Sequence, residues 1–280
     1  AAIKRSPQNP YLLYEYAYML GLSNRRQDAV NILIGLKKEY PQVANNPYLD
    51  FSLAANYAEL GNEIEALAHF QNVVAHEADD VLATEMLHHT YNVLGEIYRN
   101  IEEYDKSLQA YKKAMEINPQ QPYPYQNIGI TYQRLKQWDE AIKYGLEAIA
   151  LQSYPAAHIV LGDSYRGKGD YEKAIAQYRI AVDQAPGYKI VWIELGNSYM
   201  ELHDYLPAQE AYQKALEIDP NYIRALAGMG WVHNEQGHYY EAIDWLEKAL
   251  RFNSSDSFTK KQLQLAHARK ENPGMSHIDM

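Results

Sequence analysis

The side chains best suited to bind a metal ion are concentrated in one stretch of this 280-residue sequence. The stretch carries three histidines and four acidic residues: His76, Glu77, Asp79, Asp80, Glu85, His88 and His89. Glu85 and His88 form an E-x-x-H pair, which on a helix places a carboxylate and an imidazole on one face. Carboxylate-bridged di-iron sites combine two such pairs on facing helices, and the other pair, Glu235 and His238, lies far along the chain. We therefore interpret the stretch as a capped, solvated helix start and expect neither a metal nor another cofactor.

No other pattern predicts catalysis. Gly167 and Gly169 lie in RGKGDYEKA, where they mark a turn between two predicted helices rather than a phosphate-binding loop. The acidic pair Asp139 and Glu140 stands at a predicted helix start, where the helix dipole favours negative charge. Because the chain has no cysteine, it has no thiol nucleophile, disulfide or thiolate metal site. The sequence predicts a protein that is not an enzyme.

The secondary structure that the sequence predicts is clearest between residues 189 and 220. Trp192, Leu195 and Tyr199 fall at i, i+3 and i+7, which is one stripe of a helix. A second stripe of small and aromatic residues follows after a turn, and Pro220 cannot continue that helix. The stretch predicts two short antiparallel helices whose apolar face needs neighbours.

The neighbours are repeats of the same unit. The first-helix glycines Gly95, Gly129, Gly162, Gly196 and Gly230 are separated by 34, 33, 34 and 34 residues. The spacing W-x2-L-G-x2-Y, A-x3-F/Y and a closing proline resembles the tetratricopeptide repeat. This resemblance implies an all-α fold, a right-handed α-solenoid (superhelix) of helix-turn-helix repeats with a C-terminal capping helix.

The repeat register predicts the domain boundaries. Residues 1–9 resemble the last turn of a truncated preceding repeat, 10–87 hold two degenerate repeats plus an insertion, 88–254 hold five regular repeats, 255–272 form the capping helix and 273–280 a loose tail. The inserted residues near 75–90 are expected to extend the first helix of the third repeat by about two turns, to roughly 80–100.

Composition narrows the class of partner. The formal net charge is −10, which argues against a nucleic-acid footprint. No apolar run approaches the roughly 20 residues that a membrane helix needs, so no membrane insertion is expected. The sequence does not identify the compartment; a soluble chain is expected, with the cytoplasm favoured.

On each first helix, one stripe of residues is not needed for packing within its own repeat. In the family this face lines the concave side of the superhelix, and here it mixes polar and large apolar groups. We predict that it binds a partner through sixteen residues, the groove stripe: Asn92, Glu96, Arg99, Gln126, Ile130, Gln133, Arg134, Ile159, Asp163, Arg166, Ile193, Asn197, Met200, Arg224, Trp231 and Asn234. Exposed apolar groups rimmed by polar ones are typical of interaction sites.

The ligand of the chaperone-binding members is not expected here. Their carboxylate clamp pairs Asn with Lys one turn away, and Ile193 stands where that Lys would be beside Asn197. The mixture of Ile130, Ile159 and nearby arginines favours an extended protein or peptide segment with acidic and apolar residues.

Three functions remain open from sequence. The first is a non-enzymatic protein–protein interaction scaffold that binds a segment in the concave groove. The second is a targeting or regulatory arm of a larger enzyme, for example a glycosyltransferase. The third is a self-assembling structural protein that associates through its open N-terminal repeat.

Overall fold

The computed structural model describes residues 9–76 and 83–272, and every regular element in those ranges is a helix. The fifteen α-helices are α1 (Pro10–Leu22), α2 (Arg26–Glu39), α3 (Pro47–Glu59), α4 (Glu63–Ala75), α5 (Thr84–Asn100), α6 (Tyr104–Ile117), α7 (Pro122–Arg134), α8 (Trp138–Leu151), α9 (Pro155–Lys168), α10 (Tyr171–Gln184), α11 (Lys189–Glu201), α12 (Tyr205–Ile218), α13 (Ile223–Glu235), α14 (Tyr239–Phe252) and α15 (Ser257–Glu271). A short 3₁₀ helix, Pro41–Val43, lies between α2 and α3. The predicted all-α class is confirmed, with odd-numbered first helices and even-numbered second helices.

The chain divides into two compact units, residues 1–131 and residues 132–280. In the first unit α1 pairs with α2, α3 with α4 and α5 with α6; in the second α9 pairs with α10, α11 with α12 and α13 with α14. Second helices also pack on the first helix that follows: α2 on α3, α4 on α5, α10 on α11 and α12 on α13. Consecutive hairpins therefore share cores, as expected of a repeat array.

The helix after the insertion is shorter than predicted. It begins at Thr84 rather than near residue 80, because Ala83 adopts an extended conformation with φ −65° and ψ 132°. With 17 residues against 13 in α3, it is longer by about one turn, not two. The predicted turn before residue 9, the acidic residues within 77–82 and the tail at 273–280 lie outside the described residues.

Close packing between hairpins depends on glycine beside tyrosine. The Tyr212 side chain of α12 is fully buried. A Cβ added at Gly196 of α11 or at Gly228 of α13 would lie 2.6 Å from its ring. The ring is thus wedged between two helix backbones, one from its own hairpin and one from the next. A side chain larger than hydrogen cannot fit at either glycine without displacing the ring.

A buried carboxylate ties the second hairpin to the first. Asp50, which is 2% exposed, accepts hydrogen bonds from Lys37 Nζ at 2.7 Å and from the His69 ring at 2.6 Å. Tyr57 stacks on His69 with ring centroids 5.7 Å apart. Burial alone would raise the pKa of the Asp50 carboxyl, but the bonds from His69 and Lys37 outweigh it and lower that pKa from its ordinary value. Ionised Asp50 therefore stabilises the first unit.

Replacing Asp50 by asparagine should destabilise the chain by about 2 kcal/mol at neutral pH, because two hydrogen bonds to a charged acceptor are weakened. A group with a lowered folded pKa contributes stability above its unfolded pKa and loses it as the pH falls through the folded value. The gap between Asp50→Asn and the parent should therefore close in acid. Urea unfolding at neutral and acidic pH measures this, with exposed Asp183→Asn as the control. A gap independent of pH would contradict the role assigned to the carboxylate.

Candidate functional site

An open pocket in the second unit is lined only by first helices and the capping helix. Its volume is about 430 Å³, within the range of ligand-binding clefts. The lining residues come from α9, α11, α13 and the start of α15: Arg166, Ile193, Asn197, Glu201, Ile223, Arg224, Ala227, Gly228, Trp231, Asp256 and Phe258. Five of them belong to the predicted groove stripe, namely Arg166, Ile193, Asn197, Arg224 and Trp231.

Two arginines at the pocket share one carboxylate. Arg224 Nη2 donates to Glu194 Oε1 at 2.6 Å, and Arg166 Nε lies 3.6 Å from Glu194 Oε2. The Glu194 side chain is 12% exposed, whereas those of Arg166 and Arg224 are 40% and 51% exposed. We call these three residues the Arg–Glu–Arg cluster. Glu194 on α11 thus holds the guanidinium groups of the preceding and the following first helix, α9 and α13, while part of each stays open to solvent.

The apolar part of the pocket is built around an aromatic pair. Trp231 and Phe258 meet edge to face with ring centroids 5.6 Å apart, a favoured geometry for aromatic rings. Ile193, Ile223 and Ala227 complete this side. The half-buried indole packs against the core formed by α11 to α14, so it is held in place and still lines the pocket.

Two further carboxylates line the pocket. Glu201 is the last residue of α11, and Asp256 caps α15 by accepting hydrogen bonds from the Thr259 backbone N–H at 2.8 Å and from its hydroxyl at 2.5 Å. Together with Glu194 they make three carboxylates against two arginines. The pocket therefore offers a ligand both donors and acceptors around an apolar centre.

Buried tyrosines of the second helices reach through the core to polar groups of the first helices. The Tyr178 hydroxyl donates to Asp163 Oδ1 at 2.6 Å, and the Tyr212 hydroxyl donates to Asn197 Oδ1 at 2.8 Å. Burial raises the pKa of both tyrosines well above the ordinary value. Burial also raises the pKa of Asp163, and the bond from Tyr178 opposes that effect. These hydroxyls remain protonated donors and orient the groups they bind.

In the first unit the corresponding tyrosine hydroxyl accepts a hydrogen bond from the first helix instead of donating one. Arg99 Nη1 donates to the Tyr111 hydroxyl at 3.0 Å and to Asn127 Oδ1 at 3.2 Å. Of the other predicted residues here, Glu96 is exposed, while Asn92, Gln126 and Ile130 are half-buried. Asn92 Nδ2 donates to the His88 carbonyl at 3.0 Å. The predicted residues of this unit therefore line a polar face that is partly used by the fold itself.

Three predicted binding residues are part of the core and not exposed. Ile193 is 1%, Met200 2% and Asn234 1% exposed. Ile193 and Met200 pack in the cluster shared by α11 to α14, so only the edge of Ile193 contributes to the pocket. Asn234 Nδ2 donates to the Gln262 carbonyl at 2.9 Å and so attaches α15 to α13.

The remaining predicted residues of the second unit differ in accessibility. Arg134 is exposed, and Ile159 is half-buried against the core of α10 and α11. Gln133 Nε2 donates to the Val160 carbonyl at 2.6 Å and to Ser164 Oγ at 2.8 Å. Gln133 therefore braces α9, whereas Arg134 is accessible outside the pocket.

Sequence reasoning missed several residues that line the pocket or bind its arginines. Glu194, Glu201 and Phe258 were not predicted, and Asp256 was not distinguished from other helix-capping acids. The signal for Glu194 was available, because it precedes Asn197 by three residues and so lies one turn away on α11. Phe258 could not be placed from the repeat register alone, since α15 has no following hairpin within the described residues.

The histidine-rich stretch serves packing in the residues that can be described. His88 lies 3.0 Å from the Ala114 carbonyl, and His89 meets Phe51 edge to face. Within residues 9–76 and 83–272, no three His, Asp or Glu side chains are grouped as metal ligands. Across the same ranges no helix is long and apolar enough to cross a membrane.

The repeat geometry agrees with family comparisons. Models described as tetratricopeptide repeat match residues 86–153, 127–189 and 190–255, which together cover more than half of the chain. The chain belongs to the tetratricopeptide-repeat family. Its fold and family are those of a protein-interaction scaffold, and scaffolds of this kind are generally not catalytic.

Curated relatives match over short segments. The BBSome complex member BBS4 of Bos taurus is 32% identical over 80 residues, covering 29% of this chain and 15% of that protein. The small glutamine-rich tetratricopeptide repeat-containing protein 2 of Mycosarcoma maydis is 27% identical over 90 residues, covering 32% of this chain and 26% of that protein. The matched segments thus span about a quarter or less of the length of these relatives.

Solved structures share the fold over most of the chain. The C-terminal part of a TPR repeat-containing protein from Cytophaga hutchinsonii aligns with a TM-score of 0.69 at 19% identity, covering 89% of this chain and 99% of that one. A chain of the APC/C hetero-tetramer Cut9–Hcn1 aligns with a TM-score of 0.67 at 19% identity, covering 94% of this chain and 50% of that one. YrrB, a TPR protein described as having an unusual peptide-binding site, aligns with a TM-score of 0.56 at 17% identity, covering 72% and 97%. At such identities the likeness shows the fold alone.

Proposed function

We propose that this chain is a non-enzymatic scaffold that binds a peptide or protein segment at the pocket of its second unit. The observation that carries the proposal is the convergence of half-exposed arginines and a half-buried tryptophan on one cleft of about 430 Å³. Arginine and tryptophan are the residue types that dominate interface energies. The pocket lies on first helices, where the family resemblance places the ligand groove.

The apolar centre supports a ligand with a bulky apolar anchor. Trp231 and Phe258 offer ring edges and faces to a side chain that enters between them and Ile223. A preformed aromatic wall loses little side-chain entropy when a ligand binds. The anchor side chain of the partner is therefore aromatic or branched aliphatic.

The Arg–Glu–Arg cluster supports an acidic residue next to that anchor. Each guanidinium carries five donors, and Glu194 engages Arg224 through a single 2.6 Å bond. With 51% of its side chain exposed, Arg224 has donors left for a ligand carboxylate. Glu201 and Asp256 disfavour a second acid on the same side of the anchor, so the bound segment alternates apolar and acidic character rather than forming an acidic run.

The test is a selection of 12-residue peptides from a displayed random library on the intact chain. We expect a consensus with one bulky apolar residue flanked by Asp or Glu. Trp231→Ala should lower the affinity of the selected peptide at least tenfold while the chain keeps a cooperative thermal unfolding transition. The matched control is Tyr240→Ala, an aromatic of α14 that is 67% exposed, and it should leave affinity unchanged. Peptides without an apolar anchor, or peptides that bind Trp231→Ala as well as the parent, would contradict the proposal.

A further inference from the structure

A cleft of about 650 Å³ lies between α4 and α6 in the first unit. Its floor is apolar and is formed by Val74 of α4, by Tyr91, Leu94 and Tyr98 of α5 and by Ala110 of α6. We call this space the α4–α6 cleft. None of the residues that line it belongs to the groove stripe or to the pocket of the second unit. The cleft is therefore a separate surface of the chain.

The cleft opens where α4 meets the hairpin that follows it. α4 packs on α5 less extensively than α2 packs on α3 or α12 on α13. The connection is also longer, since eight residues separate Ala75 from Thr84, whereas four separate α12 from α13. The longer connection allows a wider spacing, and the space between α4 and α6 stays open over Val74 and Tyr98, which are only half-buried.

One edge of the cleft is basic. α6 contributes Lys106, Lys112 and Lys113, all exposed, and one acid, Glu116. Three lysines against one glutamate give the lining a net charge of +2, whereas the whole chain has a formal net charge of −10. The α4–α6 cleft therefore combines an apolar floor with a charge opposite to that of the chain.

The basic edge is a property of α6 and not of the repeat. Ser107 aligns with Ala141 of α8, so the positions of the three lysines correspond there to Glu140, Leu146 and Glu147. In each of the six other second helices the same three positions hold at most two basic residues. Packing within a hairpin thus does not require the three lysines, and their presence on α6 needs another reason.

The lysines are placed to meet two separated negative charges. Lys106 and Lys113 are seven residues apart, which is about 10 Å along α6, and they share one face. The Lys106 ammonium lies 5.7 Å from the centroid of the Tyr98 ring, so this charge is held beside the apolar floor.

The present ion pairs of these lysines are weak competitors. Lys106 lies 3.4 Å from Glu103, and Lys113 lies 3.0 Å from Glu116. All four side chains are more than half exposed. Since exposed pairs of this kind contribute little stability, carboxylates of a ligand that also covers the floor can replace them.

We infer that the α4–α6 cleft binds an acidic segment of a partner protein, in which two acidic residues about 10 Å apart flank an apolar side chain. The acids pair with Lys106 and Lys113, and the apolar side chain covers Val74 and Tyr98. A spacing of about 10 Å corresponds to i, i+7 in a helix or i, i+3 in an extended segment. Charge complementarity specifies the partner, because a basic cleft on an acidic chain selects acidic segments.

The probe is a displayed library of random 16-residue peptides selected on the parent chain. Peptides that also bind the double variant Lys106→Glu and Lys113→Glu are discarded, which removes ligands of the pocket of the second unit. We expect the retained peptides to carry paired acids at the stated spacing around an apolar residue. Trp231→Ala should bind their synthesised consensus peptide like the parent chain, which separates this site from the pocket.

The consensus peptide is then titrated against variants by fluorescence anisotropy. Lys106→Gln with Lys113→Gln should weaken it at least tenfold, Tyr98→Ala at least fivefold, and high salt should weaken it further. The glutamine pair keeps the test valid if charge reversal disturbs α6. The matched control is Lys214→Gln with Lys248→Gln, exposed lysines at the Lys113 position of α12 and α14, which should leave affinity unchanged.

Four results would overturn the inference. The first is that no peptide is retained, or that the retained peptides lack paired acids. The second is equal loss of affinity in the glutamine pair and in its control. The third is peptide binding that appears only after Glu77→Gln, Asp79→Asn and Asp80→Asn, because the chain's own acidic residues would then be the occupant. The fourth is oleate binding at the cleft more tightly than any peptide, because the site would then take a fatty acid.

Discussion

Gly196→Ala should destabilise this protein by about 1–3 kcal/mol, although alanine is the better helix former. The new Cβ would lie 2.6 Å from the Tyr212 ring. The ring cannot move away, because on its other side Gly228 approaches equally closely and the side chain is fully buried. Urea unfolding should show a lower midpoint for this single added methyl group.

The matched control is the same substitution where space is available. Gly35 lies inside α2, and no atom is within 4 Å of a Cβ built there. Gly35→Ala should therefore stabilise the chain by about 0.5–1 kcal/mol through helix propensity and reduced unfolded-state entropy. If both substitutions changed the stability in the same direction, the Tyr212 ring packed between the two hairpins would not be the reason that position 196 requires glycine.

Substitutions in the Arg–Glu–Arg cluster should change ligand affinity in opposite directions. Arg224→Glu should weaken the library-selected peptide at least 30-fold, about 2 kcal/mol, because the arginine that pairs with the ligand carboxylate is lost and its replacement repels ligand carboxylates. Glu194→Gln should tighten the same peptide about tenfold, or about 1.4 kcal/mol, because the negative charge that competes with the ligand for both guanidinium groups is removed.

Isothermal titration calorimetry at low and high salt measures both changes in peptide affinity. High salt should reduce the difference in affinity between each variant and the parent, because screening weakens exposed charge pairs. Arg224→Gln should fall between the parent and Arg224→Glu, and Lys143→Glu on α8, outside the pocket lining, should have no effect. If Glu194→Gln weakened binding, the carboxylate would be contacting the ligand itself, and the assigned polarity of the pocket would be wrong.

The fold could be predicted from sequence because the repeat imposes the same local rule many times. Trp192, Leu195 and Tyr199 define one helix face, and Gly196 with Tyr212 defines where two helices cross. Those patterns are local, so they can be recognised in the sequence without knowledge of the tertiary structure. The start of α5 could not be predicted, because Ala83 adopts an extended conformation although alanine has high helix propensity.

The lining of the pocket was harder to predict from sequence, because it depends on how successive hairpins are rotated. Ile193 and Met200 lie on the predicted stripe, yet the next hairpin buries them. Glu194 binds Arg224, which lies 30 residues along the chain, and no periodicity within one hairpin indicates that bond. Trp231 was included in the prediction because a large apolar residue is unusual on a solvated helix face, which is a signal of composition. Arg166 was included because of its position in the repeat register.

Photo-crosslinking of the library-selected peptide tests most directly whether the pocket of the second unit is the binding site. The peptide is synthesised with a photoreactive benzophenone in place of its apolar anchor, bound to the intact chain and irradiated, and the linked residues are identified by mass spectrometry. A ligand held in the pocket predicts links to Ile223, Trp231 or Phe258, with loss of labelling in Trp231→Ala. Labelling confined to second helices, for example at Lys214 or Tyr240, would contradict it.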